Sequence, residues 1–154
     1  MNRTALLDVN VLVALFDADH VHHELAHDWF GDNREAGWAT SALTENGLVR
    51  VLANPKYGAA PTGVAELVER LRQFKASGSH HFWTDSLSFD DAGVFDPPRV
   101  RGFSQVTDVY LLGLAHRHGG RLVTFDRSIP LAAVRGATAD TLTVVGPADE
   151  PQGP

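Results

Sequence analysis

The sequence predicts an α/β domain: a central, mostly parallel β-sheet flanked by α-helices. Two patterns predict it. Short apolar runs alternate with longer segments of helical spacing from one end of the chain to the other, the order expected of a sheet with helices on both faces. The short runs are also apolar at successive positions, as strands buried on both faces are. With 154 residues, 44% hydrophobic and 21% charged, the chain is long enough to close one core. The expected organisation is a single domain over residues 1–146 and a polar tail over 147–154.

The elements follow in order. Thr4 to Asp8 (TALLD) reads as a buried strand ending in an acid, and VNVLVALF continues as a helix from about Asn10 to Asp17. His22 to Phe30 predicts a second helix, stopped by Gly31. Gly37 to Thr40 (GWAT) is a short strand. Ser41 or Thr40 caps the helix that follows, which runs through Leu52 and ends at Asn54-Pro55. NPKYGAAPTG is a loop. Thr62 is the expected cap of the next helix, where Val64, Leu67, Val68 and Leu71 form a stripe at i, i+3, i+4 and i+7. Ser77-Gly78 ends it, and His80 to Trp83 (HHFW) is strand-like. The stretch SFDDAGVFDPPRVRGFSQ is irregular, with Pro97-Pro98 as a breaker. Thr107 to His118 is a helix closed by Gly119-Gly120. Arg121 to Phe125 is a strand, Arg127 to Val134 a short helix, and Thr141 to Val145 a last strand.

Composition narrows the function classes. The chain has no cysteine, so disulfides and thiolate metal sites are excluded. No apolar run approaches the length of a membrane span, and the N-terminus lacks a signal-peptide pattern. A cytoplasmic protein is the expectation. Net charge is −6, not the basic balance usual for nucleic-acid binding. Acids gathered around a metal nevertheless count toward that total while the metal neutralises them. Of the 13 basic residues only Lys56 and Lys75 are lysines. Arginine suits RNA contacts, although a GC-rich coding sequence explains the bias equally well.

In an open parallel sheet the site lies beyond the carboxyl ends of the strands, where helices begin. Four acids fall at such positions. Asp8 ends the first strand and Asp126 ends the RLVTF strand; Glu45 and Asp108 lie in the first turns of helices. Each has a plain alternative: Asp108 as partner of a helix dipole, Asp126 as a turn residue, Glu45 as a surface acid. Asp8, between LL and VNVLVALF, is the hardest to dismiss, because a carboxylate in apolar surroundings is costly unless paired. Clustered carboxylates repel one another and need cations. Oxygen ligands favour magnesium or manganese over zinc, and such ions support in-line phosphodiester hydrolysis by water.

LLDVNVLVALF, TENGLVRVLANP and VTDVYLLGLAHRHGGRLVTFD resemble the PIN-domain nucleases, and more narrowly the VapC toxins of bacterial toxin–antitoxin pairs. The likeness extends from Leu6 to about Val145. It implies a PIN-like fold and a metal-dependent endoribonuclease with Asp8, Glu45, Asp108 and Asp126 as catalytic, metal-holding acids and Mg2+ or Mn2+ as cofactor. It further implies an RNA substrate, a small antitoxin partner and a homodimer. Asn10 and Thr124 fall where supporting polar groups orient the acids. Arg50, Arg99, Arg101 and Arg127 are candidate RNA contacts. The segment from Lys56 to Gln105 is long and carries Asp85, Asp90, Asp91 and Asp96, which extend the site or, more simply, serve loops and turns.

One motif points elsewhere. His23-Glu24-Leu25-Ala26-His27 matches the H-E-x-x-H zinc-protease pattern, in which two histidines on one helix face share a zinc and the glutamate acts as base. A protease needs a third ligand, and no spacing singles out His80, His81, His116 or His118. Adventitious metal binding by His20, His22, His23 and His27, or a solvated helix face, are the plainer readings. A catalytically silent PIN-shaped binding domain is the other alternative.

Overall fold

The computed structural model describes residues 3–58 and 62–146. Five strands form one wholly parallel sheet in the order β3-β2-β1-β4-β5. They are β1 (Ala5–Leu7), β2 (Trp38–Ser41), β3 (His80–Trp83), β4 (Arg121–Thr124) and β5 (Leu142–Val144). The chain starts in the middle, builds outward to β3, then returns to the other side of β1. The strand order therefore reverses between β1 and β4, which is where an open sheet presents its crevice.

Strand residues alternate between two cores, as the period of a strand requires. Ala5, Leu7, Trp38 and Val123 pack with helices α1 (Val9–Phe16), α2 (His23–Asn33), α3 (Ala42–Ala53) and α4 (Val64–Phe74). Leu6, Ala39 and Leu122 pack on the opposite face with helix α5 (Val106–Arg117) and with Val94, Phe95, Ile129 and Val134. Covering both faces explains why β1, β2 and β4 are almost wholly buried, whereas the edge strand β3 is largely open to solvent.

Local chemistry sets most boundaries. Ser41 caps α3, accepting a hydrogen bond from the Thr44 backbone N–H, while the Ser41 N–H donates to the Thr44 hydroxyl. Gly119, at φ 68°, lets the chain turn after α5, and Gly119 and Gly120 donate to the carbonyls of His116 and Ala115.

Four expectations need correction. Gly31 does not stop α2, which runs through it to Asn33 and continues as a 3-10 turn (Arg34–Ala36). A lone glycine weakens a helix by about 1 kcal/mol, and burial of Ala26 and Phe30 outweighs that. The N-cap of α4 is Gly63, with no side-chain cap bond, rather than Thr62. Only half of the α4 stripe is core: Leu67 and Leu71 are buried, Val64 and Val68 exposed. Between Arg127 and Val134 the one helical piece is a 3-10 turn, Leu131–Ala133, because Pro130 lacks an N–H and constrains the residue before it. The tail expected at 147–154 and part of the NPKYGAAPTG loop lie outside the described residues.

Candidate active site

The site begins with Asp8, which is both the last residue before α1 and its N-cap. One carboxylate oxygen accepts from the Val9 N–H at 2.7 Å and the other from the Thr124 hydroxyl at 2.8 Å. Helix start and strand end thus fix one side chain, which is only 4% exposed. Thr124, the last residue of β4, is a hub. Besides donating to Asp8, its oxygen accepts from the Asn10 amide at 3.3 Å and from the Asp126 N–H at 3.1 Å. Asp126 is oriented in turn by Ser128, whose N–H and hydroxyl donate to it at 2.8 and 2.7 Å. Asp108, in the first turn of α5, lies within hydrogen-bonding reach of both Asp8 and Asp126. Three of the four expected acids, with both supporting residues, therefore meet at the reversal of strand order.

Electrostatics marks this cluster as unbalanced. Burial pushes the Asp8 carboxyl above the ordinary carboxylate range, against the downward pull of its bonds from Thr124 and Val9. Asp108 is pushed up to about 7, by burial first and then by repulsion from Asp8 and Asp126. Asp126 moves the other way, held low chiefly by Ser128. Near neutral pH a shared proton at Asp108 relieves the repulsion; a cation would relieve it better. The donor set fits a hard divalent ion: three carboxylates, plus the buried amide oxygen of Asn10, which has no hydrogen-bond partner. Among the described residues no three such side chains already surround one point.

Glu45 does not join them. Its carboxylate accepts from the Thr40 hydroxyl at 2.5 Å and pairs with Lys75 at 2.9 Å. Thr40 also contacts His80 at 2.8 Å. Leu43, Asn46, Gly47, Val49, Arg50 and Val51 are the α3 residues lining the cleft that contains Asp8, Asn10 and Asp108. Glu45 is not among them: its carboxylate is engaged by Lys75 and Thr40 instead. The cleft has a volume of about 1030 Å³. Gly47 is required there by close approach: a Cβ would stand 2.6 Å from Val9, the residue after Asp8.

The candidate arginines divide. Arg50 lines the cleft. Arg99 pairs with Asp96 at 3.7 Å. Arg101 is exposed, on a loop tied down by Gln105, whose side chain accepts from the Arg101 N–H and donates to the Ser128 carbonyl, each at 3.0 Å. Arg127 is exposed beside Asp126. The extra acids are structural: Asp85 accepts from the Leu43 N–H at the start of α3, Asp90 contacts Ser88, Asp91 accepts from Gly93, and Asp96 pairs with Arg99 and Arg135.

The HELAH histidines have a structural role. His23 contacts the Ala14 carbonyl at 2.7 Å and His27 the Leu15 carbonyl at 3.1 Å. Both satisfy the last carbonyls of α1, the orphan acceptors of any helix end. No third ligand joins them among the described residues, and Arg70 shares their pocket. The zinc-protease alternative therefore lacks its metal site. Sequence reading missed Ser128, although Asp-x-Ser is a turn pattern that orients an acid, and it missed Asn46 and Gly47, whose spacing from Leu43 and Arg50 was available.

A PIN domain model matches residues 5–135. Ribonuclease VapC44 of Mycobacterium tuberculosis is 48% identical over 141 residues, covering 92% of this chain and 99% of that protein. Ribonuclease VapC38 of the same species is 46% identical over 143 residues, covering 92% and 99%. Ribonuclease VapC39 is 41% identical over 133 residues, covering 86% and 96%. The match spans every element from β1 to the turn after Pro130, the three assembled acids included, and on that basis the chain belongs to the PIN-domain family and groups within it with the VapC ribonucleases.

Proposed function

We propose that this chain is the toxin of a toxin–antitoxin pair, a metal-dependent endoribonuclease built as one domain around Asp8, Asp108 and Asp126. The observation that carries the reading is the meeting of three carboxylates at the crevice, without a basic partner among the described residues to balance them and with one acid raised to about 7. The names of the relatives support RNA as substrate.

Asp8, Asp108, Asp126 and the Asn10 amide oxygen would hold Mg2+ or Mn2+. When bound, the ion supplies charge neutralisation and water activation for in-line displacement at phosphorus. The chain's own groups do the positioning. Thr124 fixes Asp8 and the backbone before Asp126 relative to each other, and Ser128 fixes Asp126. Asp108, whose carboxyl is pushed up to about 7, would bind the ion in its ionised form. Arg50, Arg101 and Arg127 are placed to contact phosphates of the strand. Glu45 is assigned a supporting role through Lys75 and not a place among the ligands.

The partner is proposed to be a small antitoxin protein. Exposed Leu43, Val64, Val68 and Val106 offer it apolar surface. A homodimer is proposed on family resemblance. No helix among the described residues is long and apolar enough to cross a membrane.

The test is cleavage of end-labelled single-stranded RNA in manganese, with analysis of the new ends. Hydrolysis by water leaves 5′-phosphate and 3′-hydroxyl ends. A 2′,3′-cyclic phosphate would refute the mechanism. RNA that stays intact while the protein binds it would favour the silent binding domain.

A further inference from the structure

Three aromatic rings meet at the rim of the cleft, and neither the acid site nor the fold's cores account for them fully. His20 and His22, in the turn between α1 and α2, pack with Phe125, the residue between Thr124 and Asp126. The His20 and Phe125 rings are nearly parallel, 18° apart with centroids at 6.4 Å. His22 lies 4.8 Å from Phe125 and 5.7 Å from His20. His20 lines the same cleft as Asp8, Asn10, Asp108 and Arg50. His22 is exposed, and His20 and Phe125 are partly so.

The turn holds these rings for stacking. The Nδ1 of His20 accepts the His22 backbone N–H at 3.0 Å, so that nitrogen carries its lone pair inward and the ring is the neutral, Nε2-protonated form. Burial and the neighbouring His22 also lower its pKa. A neutral imidazole over a phenyl ring is an aromatic surface, not a phosphate clamp. Phosphate-binding charge comes instead from Arg50 in the cleft and Arg127, two residues beyond Phe125. Flat rings beside basic groups are what a single-stranded nucleic acid requires: bases stack while the backbone follows the positive charge.

We propose that His20, His22 and Phe125 form a platform on which one unpaired nucleobase of the RNA substrate stacks, holding the strand against the carboxylates. The proposal rests on the ribonuclease reading for its substrate class, and its test separates the two. Phe125 rides on a strand end shared with Thr124 and Asp126, so a base stacked there is placed relative to the acids by one short piece of backbone. The platform grips without hydrogen bonds to base edges and tolerates any base, so it selects unpaired RNA and not a sequence.

The experiment uses a short oligouridine carrying a single 2-aminopurine, titrated with the intact protein in EDTA so that binding is read without cleavage. Stacking quenches 2-aminopurine fluorescence. The wild type is expected to bind with quenching. His22→Ala, at an exposed position, and Phe125→Leu, which keeps apolar volume, are each expected to weaken binding about tenfold, the scale of one base–aromatic stack, and to reduce the quench. Thermal unfolding and manganese affinity stay at wild-type values, which shows that the variants fold and keep the acid site. Wild-type affinity and quench in both variants would overturn the proposal, as would a wild type that does not bind. In parallel, the wild type is assayed for RNA cleavage in manganese. Quenching lost in the variants while no RNA is ever cleaved would keep the platform and refute the nuclease reading; cleavage without any sensitivity to the rings would do the reverse.

Discussion

Two acidic places on the same sheet edge make an instructive contrast. At the β1–β4 crevice, Asp8, Asp108 and Asp126 face one another with hydroxyls, an amide and backbone N–H groups for company. Beside β2, Glu45 has Lys75 at 2.9 Å and the Thr40 hydroxyl. The first cluster raises two carboxyls above their usual range; the second is an ordinary ion pair, with the lysine side chain 29% exposed. An acid whose charge is already matched inside the protein holds structure together. Acids that repel each other in a cleft hold a place for something brought from outside.

The largest way to break the contrast is at Asp8. Asp8→Asn keeps a side-chain oxygen for the α1 cap and removes the charge. Calorimetric titration should show manganese affinity falling by about a hundredfold or more, since a charged ligand is lost from a hard-ion site. Unfolding temperature should hold or rise, because a buried, repelled charge is gone. Wild-type manganese affinity in this variant would mean that the ion sits elsewhere.

The next effect is on pH dependence. Asp108 binds its proton in the folded chain up to about pH 7 and in the unfolded chain only up to the ordinary carboxylate value of about 3.8. Through that window the folded state carries more protons, so stability falls as pH rises. Melting curves without metal should decline from pH 5 to pH 7.5. Manganese competes with the proton, so its stabilisation should be greater at pH 7.5 than at pH 5. A flat or rising metal-free profile, with Asp108→Asn giving the same curve, would remove the raised acid from the account.

Smaller effects sharpen the comparison. His23→Ala strips one partner from the end of α1 and should cost about 1 kcal/mol, a few degrees in the unfolding midpoint for a chain of this size. Its manganese affinity should match the wild type; lost affinity would revive the histidine metal site. Glu45→Gln should be mildest, at most about 1 kcal/mol for a partly screened pair, with manganese affinity within about twofold of wild type. A large loss there would make Glu45 a ligand after all.

The contrast also shows what the sequence could carry. Strand-like runs, the Ser41 cap and the Gly119-Gly120 turn are written locally, whereas the strand order is set by pairing between distant segments. Height along the sheet edge was legible too, which is why Asp8, Asp108 and Asp126 could be placed together. Azimuth was harder. Glu45 is in the first turn of α3, at the right height, but its carboxylate meets Lys75, which ends α4, and no local spacing announces a contact between such distant parts of the chain. The α4 stripe misled for a similar reason: Val64 and Val68 have core spacing but border an open cleft. HELAH misled most simply, because a pattern shared with zinc enzymes also suits the plain task of closing a neighbouring helix.

The Thr124 hydroxyl joins residues 116 apart in sequence when it donates to Asp8. β1, which leads into Asp8, cannot gain β4 as neighbour until the long stretch of chain between them has been synthesised. Contacts of such long range form late, after their loop entropy has been met. A nascent chain still short of β4 thus carries its acids apart, and the site comes into being only once Thr124 and Asp126 have been made.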